Sequence, residues 1–296
     1  MTILVTGASG LIGRAFRAAA RARGAEVREL VRREPRAPYE FRWDPASGQL
    51  DAAALAGCDA VVHLAGENIA GGRWTAARRR RIVGSRVGGT RLVAQAVAAA
   101  PEPPAVLVCA SAVGWYGDRG DEELDEDSAA GTGFLAETCR DWEAAAAPAA
   151  DATRVVHLRF GVVLDPAGGA LARMLPPFRL GLGGPLGSGR QWMPWLTRAH
   201  AVAAIERALA CPDMTGPYNT VAGSVRNRDF ARTLGRVLGR PAVLPAPAFA
   251  LRLMFGEMAD QVLLGGQRVT PRRLPASGLR PEHEELEAAL RAVLGR

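Results

Sequence analysis

Through the first half of the chain, short runs of β-branched and aliphatic residues alternate with longer Ala/Leu/Arg segments whose apolar positions recur at helical spacing. The pattern predicts strands at Ile3–Thr6, Glu26–Val31, Tyr39–Trp43, Ala60–Leu64, Ala105–Ala110 and Arg154–Leu158, with helices at Leu11–Arg23, Ala76–Ala99 and Leu135–Ala147. Val61, Val62 and Leu64 are apolar on nearly successive residues, and so are Val106, Leu107 and Val108, as strands covered on both faces require. Strand and helix in regular alternation make βαβ units, so the expected fold is α/β, a Rossmann-type doubly wound parallel sheet.

Past Leu164 the texture changes to Gly and Pro, with Asp165-Pro166, Pro176-Pro177 and the stretch Gly181 to Gly189. A composition shift of this kind marks a domain edge or a loop-rich lobe. Tyr218–Val221, following Gly216-Pro217, suits the parallel sheet better than that lobe. The expected organisation is therefore a Rossmann domain over 1–165 with a returning strand near 216–222, interleaved with a smaller C-terminal lobe over 166–296. Helices resume at Arg198–Leu209, Asn227–Leu238, Pro247–Phe255 and Glu284–Leu294.

Composition narrows the function classes. At 296 residues, 48% hydrophobic and 23% charged, the chain holds a large core, which excludes disorder and a disulfide mini-scaffold. All 37 basic residues are arginine, so no mechanism can use a lysine. The net charge of +7 is spread among Ala, Leu and acids, and the run Arg78 to Arg81 scatters around a helix axis without stacking aromatics. These are solvated faces, and no nucleic-acid partner is expected. Asp121 to Asp127 reads likewise as a solvated acidic loop. Cys58, Cys109, Cys139 and Cys211 show no C-x-x-C spacing, and His283-Glu284 lacks the second histidine of a zinc helix, so no metal is expected. No apolar run reaches the about 18 residues of a membrane span, and Met-Thr-Ile-Leu-Val lacks a signal peptide's basic flank. A cytoplasmic protein with a small-molecule substrate follows, its oligomeric state open and a homodimer included.

Candidate chemistry begins at Thr6-Gly7-Ala8-Ser9-Gly10-Leu11-Ile12-Gly13, between the first strand and the first helix. Gly7 permits the tight turn, Gly10 lets backbone approach a pyrophosphate, and Gly13 lets helix and strand pack; the helix N-terminus meets the phosphate charge. The second strand ends in Arg32-Arg33 where an acid would select a ribose 2′-hydroxyl, and an Arg there favours a 2′-phosphate. NADP(H) is therefore expected over NAD(H), with Arg32 first and Arg33 or Arg14 assisting. Asp44 ends the third strand within reach of an adenine amino group, and Leu64, Ala65 and Gly66 leave room beyond the fourth. His63, inside an apolar strand, reads as a core histidine.

With Asp59-Ala60-Val61-Val62-His63-Leu64-Ala65-Gly66 and Ala110-Ser111-Ala112-Val113-Gly114-Trp115-Tyr116-Gly117, the chain resembles an extended short-chain dehydrogenase/reductase of the NAD-dependent epimerase/dehydratase type. It is most similar to the subfamily labelled epimerase-like or cell-division-inhibitor-like, through Gly66-Glu67-Asn68-Ile69, Arg73-Trp74-Thr75, Arg81-Ile82 with Ser85-Arg86 and Thr90, and the block containing Gly256-Glu257-Met258-Ala259 and Gly265-Gly266-Gln267-Arg268-Val269. The resemblance implies a nicotinamide cofactor, a small C-terminal substrate lobe, and a Ser/Thr with a Y-x-x-x-K pair on the helix after the fifth strand. In such a pair the Lys cation lowers the Tyr pKa and holds the nicotinamide ribose.

The chain departs from that pattern. With Glu143 in the place where relatives often carry a Glu, Leu135 and Cys139 take the Tyr and Lys positions; with Phe134 first, Thr138 takes the Lys position. Ser111 stands for the Ser/Thr, with Ala112 its rival by one residue. Candidates for a nonstandard proton carrier are Tyr116, Glu137, Glu67, Asp118 and Ser111, with Ser111, Tyr116 and Glu137 foremost. The substrate side is expected to be lined by Asn68, Arg73, Trp74, Trp115, Gln191 and Trp195, since four of six tryptophans fall on expected loops. Two functions stand on these residues: an NADP(H)-binding oxidoreductase or epimerase/dehydratase of unidentified substrate, and a non-catalytic NADP(H)-dependent regulatory or sensor protein.

Overall fold

The structure, a computed structural model, describes residues 1–296. In chain order its strands and helices are β1 (Thr2–Thr6), α1 (Leu11–Ala22), β2 (Glu26–Val31), β3 (Glu40–Asp44), β4 (Gln49–Leu50), β5 (Ala60–His63), α2 (Ala76–Val83), α3 (Gly89–Ala98), β6 (Val106–Ala112), β7 (Glu123–Leu124), α4 (Phe134–Ala144), β8 (Arg154–Phe160), β9 (Val162–Leu164) and α5 (Gly169–Arg179). They continue as β10 (Trp192–Thr197), α6 (Arg198–Ala210), β11 (Gly216–Thr220), β12 (Gly223–Arg226), α7 (Asn227–Leu238), α8 (Ala248–Phe255), β13 (Arg268–Val269), α9 (Arg273–Ala276) and α10 (Leu286–Leu294).

Eight strands form the main sheet in the order β11-β8-β6-β5-β1-β2-β3-β4, all parallel except β4 against β3. The chain leaves β1 toward β2 on one side and returns to β5 on the other, which opens a crevice at the carboxyl ends of β1 and β5. Side chains alternate across the sheet as strand geometry demands. Ile3, Val5, Val62 and Val108 pack under α1 and α6 with Phe16, Ala201 and Ile205. Leu4, Val61 and Leu107 pack on the opposite face under α3 with Val93, Ala94 and Val97. Each Val, Leu, Ile or Phe among them, fully buried, contributes about 1.5–3 kcal/mol, which is why apolar runs in this region read correctly as strands.

The predicted strand at Tyr218–Val221 is β11, parallel to β8 at the sheet edge. A separate three-stranded sheet, β12-β10-β9, carries α5, α7 and α10 around Trp195, Leu171, Phe230 and Leu234. Three expectations need correction. The helix predicted unbroken over 76–99 is interrupted by a π-turn at Gly84–Gly88. Pro176 and Pro177 lie within α5 rather than in a loop, and Trp192 and Trp195 lie on β10. No helix is long and apolar enough to cross a membrane.

His63 ends β5 fully buried. Thr6 Oγ1 accepts from the amides of Leu64 and Ala65, at 3.1 Å each, so its one proton goes to His63 Nδ1 at 2.8 Å. The buried imidazole is neutral, and the bond ties the tips of β1 and β5 together. Burial pushes His63 down to about 4, and His200 to about 4 as well. Because the unfolded imidazole titrates near 6.5, the unfolded chain takes up the proton first, and stability falls as pH drops from about 6.5 toward 4. Each histidine is expected to withdraw roughly 3 kcal/mol across that window. Urea unfolding at pH 7.5 and 5.0 measures it; His63→Gln should flatten the slope, His200 and His157, which burial also pushes down, supplying the remainder, and an unchanged slope would contradict the assignment.

Candidate functional site

At the crevice, Gly7 has φ +69°, and a Cβ there would sit 2.7 Å from the Leu64 carbonyl carbon. A Cβ on Gly13 would meet the Gly7 carbonyl oxygen at 2.2 Å. Backbone thus presses on backbone at both positions, and only glycine lets α1 start this close to β1 and β5. Gly10 is the exposed N-cap of α1; no side chain caps the helix and no acid lies in its first turn. The opening amides at Leu11 and Ile12 and the exposed Ser9 border the crevice, with the helix dipole adding positive potential. The donor set and the glycine cradle fit a pyrophosphate.

The rim at β2 is sorted by its ion pairs. Glu29, 4% exposed, is consumed by Arg17 at 3.0 Å and Arg21 at 3.0 Å from α1, so it is no ribose acceptor. Arg33 pairs with both carboxylate oxygens of Glu40, whose carboxyl that hydrogen bond pulls down to about 2. Arg32 is exposed with no partner, and Arg14 reaches back to the Ser9 carbonyl at 3.0 Å. Asp44 closes the β3–β4 turn, accepting from Ser47 Oγ at 2.8 Å and the Ala46 amide at 3.0 Å, and these bonds hold its carboxyl below the usual range. Leu64 and Ala65 are half-buried and Gly66 is exposed at the tip of β5.

Across the sheet a buried charged network sits at the ends of β6 and β8. Arg159, 2% exposed, binds Glu143 on α4 through Nε and Nη2 at 2.8 Å each. Ser111 Oγ donates to the same carboxylate at 2.6 Å. Arg159 Nη1 donates to Tyr116 Oη at 3.0 Å, and Tyr116 donates to Asn219 Oδ1 at 2.7 Å. The guanidinium also stacks 3.9 Å from the centroid of Trp115. Tyr116 is sealed in the core, burial raises its pKa, and both of its hydrogen bonds are spent. It therefore holds Arg159 and has no proton to lend. Ser111 and Tyr116 are brought together by Arg159, whereas Glu137 is exposed on α4, two residues and so about 200° from Cys139.

Leu135 and Cys139 both face the turn after β6, their side chains 3.6 Å from where a Gly114 Cβ would lie. In the register set by Glu143, the positions of a Tyr and a Lys hold an alkyl group and a thiol, which burial pushes up to about 12 and keeps neutral.

The expected substrate residues divide. Asn68 and Arg73 are exposed, and Arg73 lies against Gly256 of the C-terminal block. Trp115 is half-buried with its Nε1 unpartnered. Gln191 spans Leu186 and Leu263 carbonyls at 3.1 and 2.7 Å. Trp74, 8% exposed, packs on Phe134 and donates to the Ile69 carbonyl, and Trp195, 1% exposed, is part of the small lobe's core. For these two tryptophans packing replaces the expected lining role. The acidic loop is also more than a solvated turn. Glu126, 5% exposed, accepts from the Asn219, Arg272 and Arg273 amides, while Asp125 and Asp127 pair with those arginines and pin the C-terminal block.

Sequence reasoning passed over Arg159 and Asn219 and used Glu143 only as a register mark. A charge inside the apolar run Val155-Val156-His157-Leu158-Arg159-Phe160 was the available signal, since such a group is buried only with a partner.

A doubly wound sheet with a glycine-rich first turn at its switch point, extended by a smaller lobe, defines an extended short-chain dehydrogenase/reductase. The family model described as NAD dependent epimerase/dehydratase family matches residues 3–221, and a domain of unknown function, DUF1731, matches residues 246–293. The chain is 46% identical over 290 residues to the epimerase family protein MT2273 of Mycobacterium tuberculosis, covering 97% of this chain and 96% of that one. It is 42% identical over 298 residues to the human epimerase family protein SDR39U1, covering 99% and 100%. The crystal structure of human epimerase family protein SDR39U1 (isoform 2) with NADPH matches at TM-score 0.92 and 40% identity, covering 100% of both chains. This chain belongs to the NAD-dependent epimerase/dehydratase family.

Proposed function

We propose that the chain binds NADP(H) in the β1/β5 crevice and catalyses an oxidoreduction or epimerisation of a small-molecule substrate. The observation that carries the reading is the free guanidinium of Arg32 at the end of β2, where the nearby acids Glu29 and Glu40 are already held by Arg17, Arg21 and Arg33. With no carboxylate left to take a ribose 2′-hydroxyl, the rim favours a 2′-phosphate, and the NADPH in the human relative's structure agrees with it. Gly7, Ser9, Gly10, Leu11, Ile12 and Gly13 hold the pyrophosphate, and Leu64, Ala65 and Gly66 border the inner ribose. The bound coenzyme supplies the hydride donor or acceptor.

On the substrate side, the one proton of Ser111 is committed to Glu143, so toward a ligand its oxygen can only accept a hydrogen bond. Ser111 therefore orients a substrate hydroxyl, with Arg159 and Tyr116 fixing the carboxylate that fixes Ser111. Asn68, Arg73 and Trp115 face the same end of the sheet.

Fluorescence titration tests the coenzyme assignment. The protein is expected to bind NADPH at least about tenfold more tightly than NADH, one charge-assisted hydrogen bond's worth, and Arg32→Ser to erase most of that preference. Arg33→Ser should matter less, since Glu40 already occupies Arg33. Equal affinity for the two coenzymes in the parent protein would end the NADP(H) reading.

A second reading, an NADP(H)-responsive sensor without turnover, is favoured by Leu135 and the neutral Cys139 in the places of the Tyr/Lys pair. A screen of carbonyl and sugar compounds separates the two: sustained loss of NADPH absorbance with any compound excludes the sensor.

A further inference from the structure

The absent lysine leaves a question of charge: what cation, if any, stands beside the nicotinamide half of the crevice? The π-turn at Gly84–Gly88 carries Arg86, and its guanidinium has been brought inward between β5 and α4. Nη1 donates to the Glu67 carbonyl at 3.0 Å and the Ile82 carbonyl at 3.4 Å. The guanidinium carbon lies 3.4 Å from where a Gly66 Cβ would be, and 5.0 Å from the ring centroid of Trp142. Trp142 follows Cys139 by one helical turn on the same buried face of α4. The Arg86 charge thus occupies the gap between the tip of β5 and the α4 face whose Cys139 stands in the lysine's place.

Two details make this more than a loop brace. Both hydrogen bonds use Nη1; Nε and Nη2 have no protein partner, yet neither is sealed from solvent. A guanidinium holds its fork rigidly, so the two free donors keep a fixed direction, with Nη2 3.5 Å from where a Gly66 Cβ would lie at the tip of β5. The second detail is the backbone. A π-turn inserts a residue into a helix and so re-aims the side chains that follow, and such turns concentrate at functional sites. The guanidinium lies in van der Waals range of the Gly66 position at the tip of β5.

We propose that Arg86 is the cation that binds the nicotinamide half of the coenzyme, donating from Nε and Nη2 to its ribose or carboxamide oxygens across Gly66. The assignment rests on the NADP(H) reading above. It carries an electrostatic consequence: a fixed positive charge beside the ring opposes the cationic oxidised nicotinamide and favours the neutral reduced one.

The test uses three probes on the full chain: adenosine 2′,5′-bisphosphate, which has only the adenine half, NADPH and NADP⁺. The parent protein is expected to bind NADPH about tenfold more tightly than NADP⁺. In Arg86→Gln the NADPH affinity should fall about tenfold or more and the gap between NADPH and NADP⁺ should shrink to about threefold. Affinity for the bisphosphate should stay within twofold or so of the parent's, which also reports that the variant is folded. Arg86→Lys should keep the preference for the reduced form. If Arg86→Gln loses bisphosphate and NADPH affinity equally, or loses neither, Arg86 only braces the Glu67 loop and the proposal is overturned. If the parent protein binds none of the three probes, the nucleotide reading itself falls, and this assignment with it.

Discussion

Arg159→Met is expected to destabilise the protein by about 3–5 kcal/mol, because it strands the Glu143 carboxylate among buried groups with no cation beside it. The loss goes beyond the ion pair. Tyr116 would lose the donor to its hydroxyl and Trp115 the guanidinium over its ring, so three side chains are left to repack around one defect. The double variant Arg159→Met with Glu143→Met removes both charges, and it is expected to be more stable than Arg159→Met alone because no orphan charge remains. Urea unfolding of the parent and the two variants decides it. A single variant within about 1 kcal/mol of the parent would show that water reaches Glu143 and that the network is not closed.

Gly13→Ala is the second large effect. The new methyl group would sit 2.2 Å from the Gly7 carbonyl oxygen, 2.9 Å from its carbon and 3.0 Å from the Ala8 Cα, all backbone atoms that cannot rotate aside. The helix must withdraw from β1, at about 1–3 kcal/mol or more, and its opening amides move with it. NADPH affinity should fall by roughly 100-fold, two hydrogen bonds' worth. Gly10→Ala makes the informative contrast. Its Cβ would contact only the Gly7 oxygen, at 3.1 Å, on the open side of the turn. Thermal midpoint should therefore hardly change, while NADPH affinity drops about tenfold because the methyl group occupies the pyrophosphate's approach. Thermal melts and NADPH titrations of both variants check this, and a Gly10→Ala protein that binds NADPH as well as the parent would place the phosphates elsewhere.

The two halves of the site differ in how far the sequence revealed them. The glycine turn was readable because its requirements are local: a strand, a backbone with positive φ, and a helix start lie within a dozen residues. The arginines at the end of β2 were readable as a pair, but not which one is free; Arg33 is taken by Glu40, a partner on the adjacent strand. On the substrate side Tyr116 looked like a candidate acid by its place after β6. Its hydroxyl is spent on Asn219 and Arg159, which lie 103 and 43 residues away along the chain. Tryptophans at Trp74 and Trp195 looked like loop aromatics because the local texture is Gly- and Pro-rich, and long-range packing placed them in cores instead.

Taken alone, the order of residues determined the alternation of strands and helices, the parallel sheet and the nucleotide turn, since each follows from periodicity or backbone sterics within a short segment. It also settled, by the simple lack of lysine, that a permanently charged cationic side chain anywhere in the site can only be an arginine. Only the tertiary structure decided which arginines are drawn inward and which stay in water. Arg86 is turned inward by a π-turn that no local pattern announced, and Arg159 is buried against Glu143 by the meeting of β8 with α4. Charge is cheap to leave in water and costly to bury, so where it ends up is fixed by partners that the fold brings together rather than by neighbours in the chain.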